Sequence, residues 1–115
     1  MKAFDRLTDS DQRIVLQCMK AILSERYVDA GDYPSRMGIE YQDLTSAIAD
    51  WPNLDDSVDD SPVTLVINNS LNEVCHGVHI PTNEWSEFFD VDREVIRTTY
   101  TTWAKLKGWK STGIM

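Results

Sequence analysis

The sequence predicts an all-α domain, and three observations carry that expectation. Apolar residues recur at three-and-four spacing in several stretches, helix-start signals precede those stretches, and one segment echoes another 52 residues further on. The echo pairs YPSRMGIEYQDLTSAIADW, Tyr33 to Trp51, with WSEFFDVDREVIRTTYTTW, Trp85 to Trp103. Tyr33 matches Trp85, Met37 matches Phe89, Ile39 matches Val91, Leu44 matches Ile96, Ile48 matches Tyr100 and Trp51 matches Trp103. The same offset extends backwards, pairing Ile14 with Val66, Met19 with Leu71 and Ile22 with Val74. These are matches of burial type, so the expectation is two tandem pseudo-repeats, about 8–51 and 60–103, packed as one compact domain over 1–115. Each unit is a helix followed by a helix-turn-helix-like pair, and an acidic linker, 52–61, joins them.

The first helix starts at Thr8, Asp9, Ser10 and Asp11, where a hydroxyl can cap the open amides and acids favour the positive end of the dipole. It is expected to run to about Arg26, burying Ile14, Val15, Cys18, Met19, Ile22 and Leu23. Gly31 marks a break. Pro34 then opens a short helix, Gly38 permits a sharp turn, and Tyr41 to Trp51 forms the next helix before Pro52. A short helix, a turn and a longer helix make the layout of a helix-turn-helix. In this copy the second helix shows Glu40, Asp43 and Asp50 and no basic residue, which disfavours phosphate.

Asn53 to Ser61, NLDDSVDDS, holds four aspartates in six residues. Calcium loops need alternating oxygen ligands, a glycine turn and a later glutamate, so this stretch reads as a solvated linker. Ser61 and Pro62 are a strong helix start. Val63 to His76 is ambiguous, since Val63 to Ile67 is rich in β-branched residues. Helix is the expectation, because Val63, Ile67, Leu71, Val74 and Val78 keep helical spacing and Gly77 suits a helix end. Asn68, Asn69 and Asn72 are expected near one another on its surface, as a contact patch or in solvent. Thr82 is placed as the cap of a helix from Asn83 to Phe89, and Asp92 as the cap of one from Arg93 to about Lys107, closed by Gly108.

Composition narrows the function classes. With 42% hydrophobic and 26% charged residues the chain is of globular type. No run approaches the roughly 18 apolar residues of a membrane span, and the charged first twenty positions do not read as a signal peptide. Cys18 and Cys75 lie in apolar helical patterns, as reduced core thiols in a cytoplasmic protein would. Cys75, His76 and His79 supply too few ligands for a zinc site without Glu73 or Cys18, and adjacent Cys75 and His76 diverge by about 100° on a helix, too far to share a proton. No phosphate loop or nucleophile with a base is present, so the expectation is no enzyme, no cofactor and no metal.

The net charge of -8 is uneven: residues 1–60 hold 6 basic and 13 acidic groups, and 61–115 hold 5 and 6. The leading expectation is a non-catalytic interaction or regulatory module, of adaptor or inhibitor type, binding a protein partner. In one version it occupies the site of a basic partner, with Asp50, Asp55, Asp56, Asp59 and Asp60 as its charged face. Trp109 either folds back after Gly108 or stands exposed as a partner contact. The alternative is a DNA-binding regulator using Arg93, Arg97, Lys105 and Lys107 of the second copy, with nearby threonines for phosphate or base edges. It requires a multivalent arrangement such as a homodimer, because one short basic helix offers few phosphate contacts.

Overall fold

The computed structural model describes residues 2–109. Among the described residues there are six α-helices: α1, Asp9–Leu23; α2, Tyr33–Met37; α3, Tyr41–Asp50; α4, Pro62–Asn72; α5, Thr82–Phe88; and α6, Arg93–Leu106. Single 3-10 turns at Phe4–Arg6 and Ala30–Asp32 and a π turn at Glu73–Gly77 complete it, and no strand occurs among the described residues. The ambiguous 63–76 stretch is therefore helical. Helices α1 and α4 pack together at the centre, α3 and α6 each touch both, and α2 and α5 close against α4 and α1 respectively. The radius of gyration is 12.9 Å, close to the roughly 13 Å of one compact body of this length. No helix among the described residues is long and apolar enough to cross a membrane.

Local chemistry explains most boundaries. Thr8 accepts from the Asp11 amide at 3.1 Å and Ser61 from the Thr64 amide at 3.3 Å, each satisfying an amide that the first turn leaves open. Glu40 and Asp43 exchange side-chain and backbone bonds around the start of α3. Gly38 and Gly108 adopt φ of 68° and 82° and end α2 and α6 in the left-handed region that costs glycine little.

Two boundaries and one capping bond depart from expectation. Helix α1 stops at Leu23, short of Arg26, because Ser24 Oγ donates to the Ala21 carbonyl and Glu25 turns to φ 60°. Helix α5 begins at Thr82 itself with Pro81 before it, so Thr82 is not its cap, and Asp92 precedes α6 without a side-chain capping bond. Gly77 ends its segment for a reason of space: a Cβ there would lie 2.0 Å from Glu73 Oε1.

That carboxylate is held by Arg36, whose Nε and Nη2 donate to it at 2.9 and 2.7 Å, while Nη2 also donates to the Gly77 carbonyl. The planar fork ties α2 to the π turn. The core gathers Phe4, Val15, Met19, Ile22, Tyr33, Leu44, Ile67, Leu71, Ile96 and Trp103. Tyr33 donates its hydroxyl to the Ile22 carbonyl at 2.8 Å, so its polar tip is satisfied inside the core. The asparagines of α4 do not form a solvated patch. Asn68 accepts from the Tyr100 hydroxyl at 2.6 Å and Asn69 donates to the Met37 carbonyl at 2.6 Å, because their face of α4 meets α6 and the end of α2.

Candidate interaction surface

The linker 52–61 is ordered by inward contacts. Leu54 and Asp56 are buried. Asp56 Oδ2 accepts from the Phe4 amide at 3.0 Å and from Trp103 Nε1 at 2.8 Å, and the Asp56 carbonyl accepts from Lys107 Nζ. Further along, Thr64 Oγ1 donates to the Val58 carbonyl at 2.7 Å, and the Ser61 amide donates to the same oxygen at 3.2 Å. Bonds at both ends leave the segment little conformational freedom to lose on binding.

Between these attachments the linker turns Asp55, Val58, Asp59 and Asp60 outward, and Asp50 at the end of α3 is also exposed. Val58 is 57% exposed, an aliphatic side chain between Asp55 and Asp59 in sequence. The Ser57 hydroxyl and amide bond Asp55 at 2.6 and 3.1 Å and hold its carboxyl below the ordinary aspartate value. Asp59 is lowered by Lys107, whose ammonium lies 2.9 Å away. Asp50 and Asp60 have no ion-pair partner among the described residues.

Asp56 must be removed from the expected charged face. Its side chain points at Trp103 and the chain start, where two donors satisfy Oδ2, while Oδ1 is buried without a hydrogen-bond partner among the described residues. Trp109 folds back: its ring meets Trp103 edge-on at 5.1 Å, its amide donates to the Ala104 carbonyl at 2.9 Å, and the Lys107 ammonium stands 5.6 Å from its centre. It packs against the core and does not project as an isolated contact.

The four basic residues of the alternative reading are not all presented to solvent. The Lys107 side chain is 5% exposed and faces the linker. Arg93 lies over the Trp85 ring at 5.0 Å, Arg97 reaches Glu94 at 3.4 Å, and Lys105 is exposed. Burial removes Lys107 from any phosphate-facing set.

Cys75 and Cys18 are buried thiols. Burial pushes Cys75 up to about 11 and raises Cys18 as well, with the neighbouring Cys75 adding to the latter, which keeps both protonated and poorly nucleophilic near neutrality. His76 is exposed, and Glu73 is engaged by Arg36.

Two features of this surface had no sequence signal that would isolate them: which of four aspartates turns inward, and that Val58 stands out among the rest. Compared with known proteins, the chain matches no family model, no curated protein and no solved structure.

Proposed function

We propose that this chain is a non-catalytic binding module whose acidic linker docks a basic partner. The observation that carries the reading is the linker's divided construction: Leu54 and Asp56 fasten it to the core while Asp55, Val58, Asp59 and Asp60 face solvent, with Asp50 beside them in sequence. A preorganised acidic segment with an exposed aliphatic side chain suits a Lys- or Arg-rich segment carrying an apolar residue. Fluorescence anisotropy with such peptides, at low and moderate salt, tests it. The variant Asp50→Asn, Asp55→Asn, Asp60→Asn spares the Lys107–Asp59 pair and is expected to bind at least about tenfold more weakly. Equal binding by the native chain and this variant sinks the proposal. The duplex-DNA alternative retains only Arg97 and Lys105 as exposed cations of its four, which is thin support for phosphate contacts.

The pseudo-repeat belongs to the same proposal, as the frame that presents the linker. Exchanging α1 with α4, α2 with α5 and α3 with α6 maps the packed pairs onto one another: α1–α3 onto α4–α6, α3–α4 onto α1–α6, and α2–α4 onto α1–α5. Phe4 and Asp56, joined by a hydrogen bond, are themselves 52 residues apart, as equivalent positions meeting on a two-fold axis would be. Superposing 8–51 on 60–103 in an NMR structure should give a rotation near 180°; an arbitrary rotation removes the repeat from the account.

A further inference from the structure

A concavity whose lining includes no residue of the acidic linker is formed by His79, Ile80, Thr82, Trp85, Ser86, Asp92 and Arg93, with a volume of about 330 Å3. It lies where the segment after the π turn, α5 and the start of α6 meet, and its size falls within the range of small-molecule sites. Its chemistry is mixed: an indole and an isoleucine supply apolar wall, while a guanidinium, an imidazole and two hydroxyls supply polar groups.

Arg93 is the unusual member. Its guanidinium is stacked over Trp85 at 5.0 Å, and the Trp85 ring is itself fixed by donation from Nε1 to the Val91 carbonyl at 2.7 Å and by Phe89 at 4.3 Å. The stack holds the cation in place without neutralising it. Arg93 forms no ion pair among the described residues, and its Nε is buried without a hydrogen-bond partner. Other arginines of the fold have carboxylates: Arg13 with Asp90, Arg26 with Glu87, Arg36 with Glu73 and Arg97 with Glu94. Nε is closed off by the protein itself, so a ligand would meet the guanidinium through its remaining N–H groups.

We propose that this cleft binds a small carboxylate ligand, with Arg93 as the carboxylate's partner and Trp85 and Ile80 as the wall for its apolar body. A planar carboxylate matches the guanidinium fork, and stacking has already restricted that fork's rotation. The Thr82 and Ser86 hydroxyls can donate to the ligand. Asp92, which carries the opposite charge to Arg93, opposes the anion and limits its affinity. This site is independent of the acidic linker, so its failure leaves the docking reading intact.

The test is NMR titration of the full chain with N-acetyl amino acids of aliphatic side chain, each compared with its uncharged amide and with inorganic phosphate. Saturable shifts of the Trp85 indole and of the amides of 92–94 are expected with carboxylates up to about 10 mM, and none with the amides. Arg93→Gln, verified as folded by circular dichroism, should weaken binding by about tenfold or more, whereas Asp92→Asn should strengthen it severalfold. The Asp92 comparison has a sign that mere loss of packing does not produce. Absence of saturable shifts with every carboxylate overturns the proposal. So do equal binding of acid and amide, stronger binding of phosphate, an indifferent Arg93→Gln, or weakened binding in Asp92→Asn.

Discussion

Trp103 Nε1 donates to Asp56 Oδ2 at 2.8 Å, and both residues are closed off from solvent. This bond joins the last helix to the linker, beside the contacts that Lys107 makes with Asp56 and Asp59. Asp56 Oδ2 also takes the Phe4 amide, so the chain start, the linker and α6 meet on one carboxylate.

Replacing that carboxylate should therefore be costly. Asp56→Ala leaves the Phe4 amide and the Trp103 indole without acceptors in a dry site, and an expected loss of about 2–4 kcal/mol follows. Asp56→Asn keeps a carbonyl acceptor and should lose less. Urea unfolding followed by tryptophan fluorescence measures both, and a midpoint for Asp56→Ala equal to that of the native chain contradicts the role assigned here.

The Arg36–Glu73 fork predicts a specific non-additivity. Glu73→Ala should cost about 2–3 kcal/mol, since it leaves part of the guanidinium and the Gly77 carbonyl arrangement unsupported. Gly77→Ala should cost a similar amount, because its Cβ would stand 2.0 Å from Glu73 Oε1 and displace the carboxylate. In the Glu73→Ala background that obstruction is gone, and Gly77→Ala should become nearly neutral. A double-mutant cycle with no coupling energy rejects this account.

Alkaline conditions should destabilise the fold. Burial lifts the Cys75 thiol to about 11 and the Tyr33 and Tyr100 hydroxyls to about 12. In the unfolded chain the thiol ionises from about pH 8.5 and the phenols from about pH 10. Because the folded values are the higher ones, their stabilising contribution is complete below those pH values and is lost as pH climbs towards 11 and 12. The urea midpoint should fall between pH 8 and pH 10.5, less steeply in Cys75→Ala. A flat midpoint over that window is the contrary result.

Gly38→Ala isolates a purely conformational cost. A Cβ at this position meets nothing within 4 Å, yet φ is 68°. The expected penalty is about 1 kcal/mol, with Gly38→Asn milder because asparagine tolerates the left-handed region. Thermal unfolding of the three chains in parallel gives the ranking directly.

The local signals in the chain were sufficient for the helical class and for several boundaries. Thr8 and Ser61 cap their helices, Pro52 follows α3, and Gly38 and Gly108 close α2 and α6, because each depends on neighbours within one turn. The helical spacing through Val63 to Val74 outweighed the β-branched bias for a similar reason: a stripe that packs on α1 and α3 can override weak intrinsic preference. Where Glu25 adopts φ 60° and ends α1 early, no glycine announced it.

Helical spacing and end signals thus specify the helices, and the residue count specifies the surplus of acid in the first half. How those charges are used is set by contacts made on folding. Asp55 and Asp56 are adjacent and chemically identical, yet one faces water and the other accepts from Phe4 and Trp103, residues 52 and 47 positions away. Lys107 likewise turns inward to the linker, and Arg93 stands over Trp85 with no ion-pair partner among the described residues. Periodicity reports which face of a helix is apolar, whereas the partner of a polar group is set by segments distant in sequence that meet only on folding.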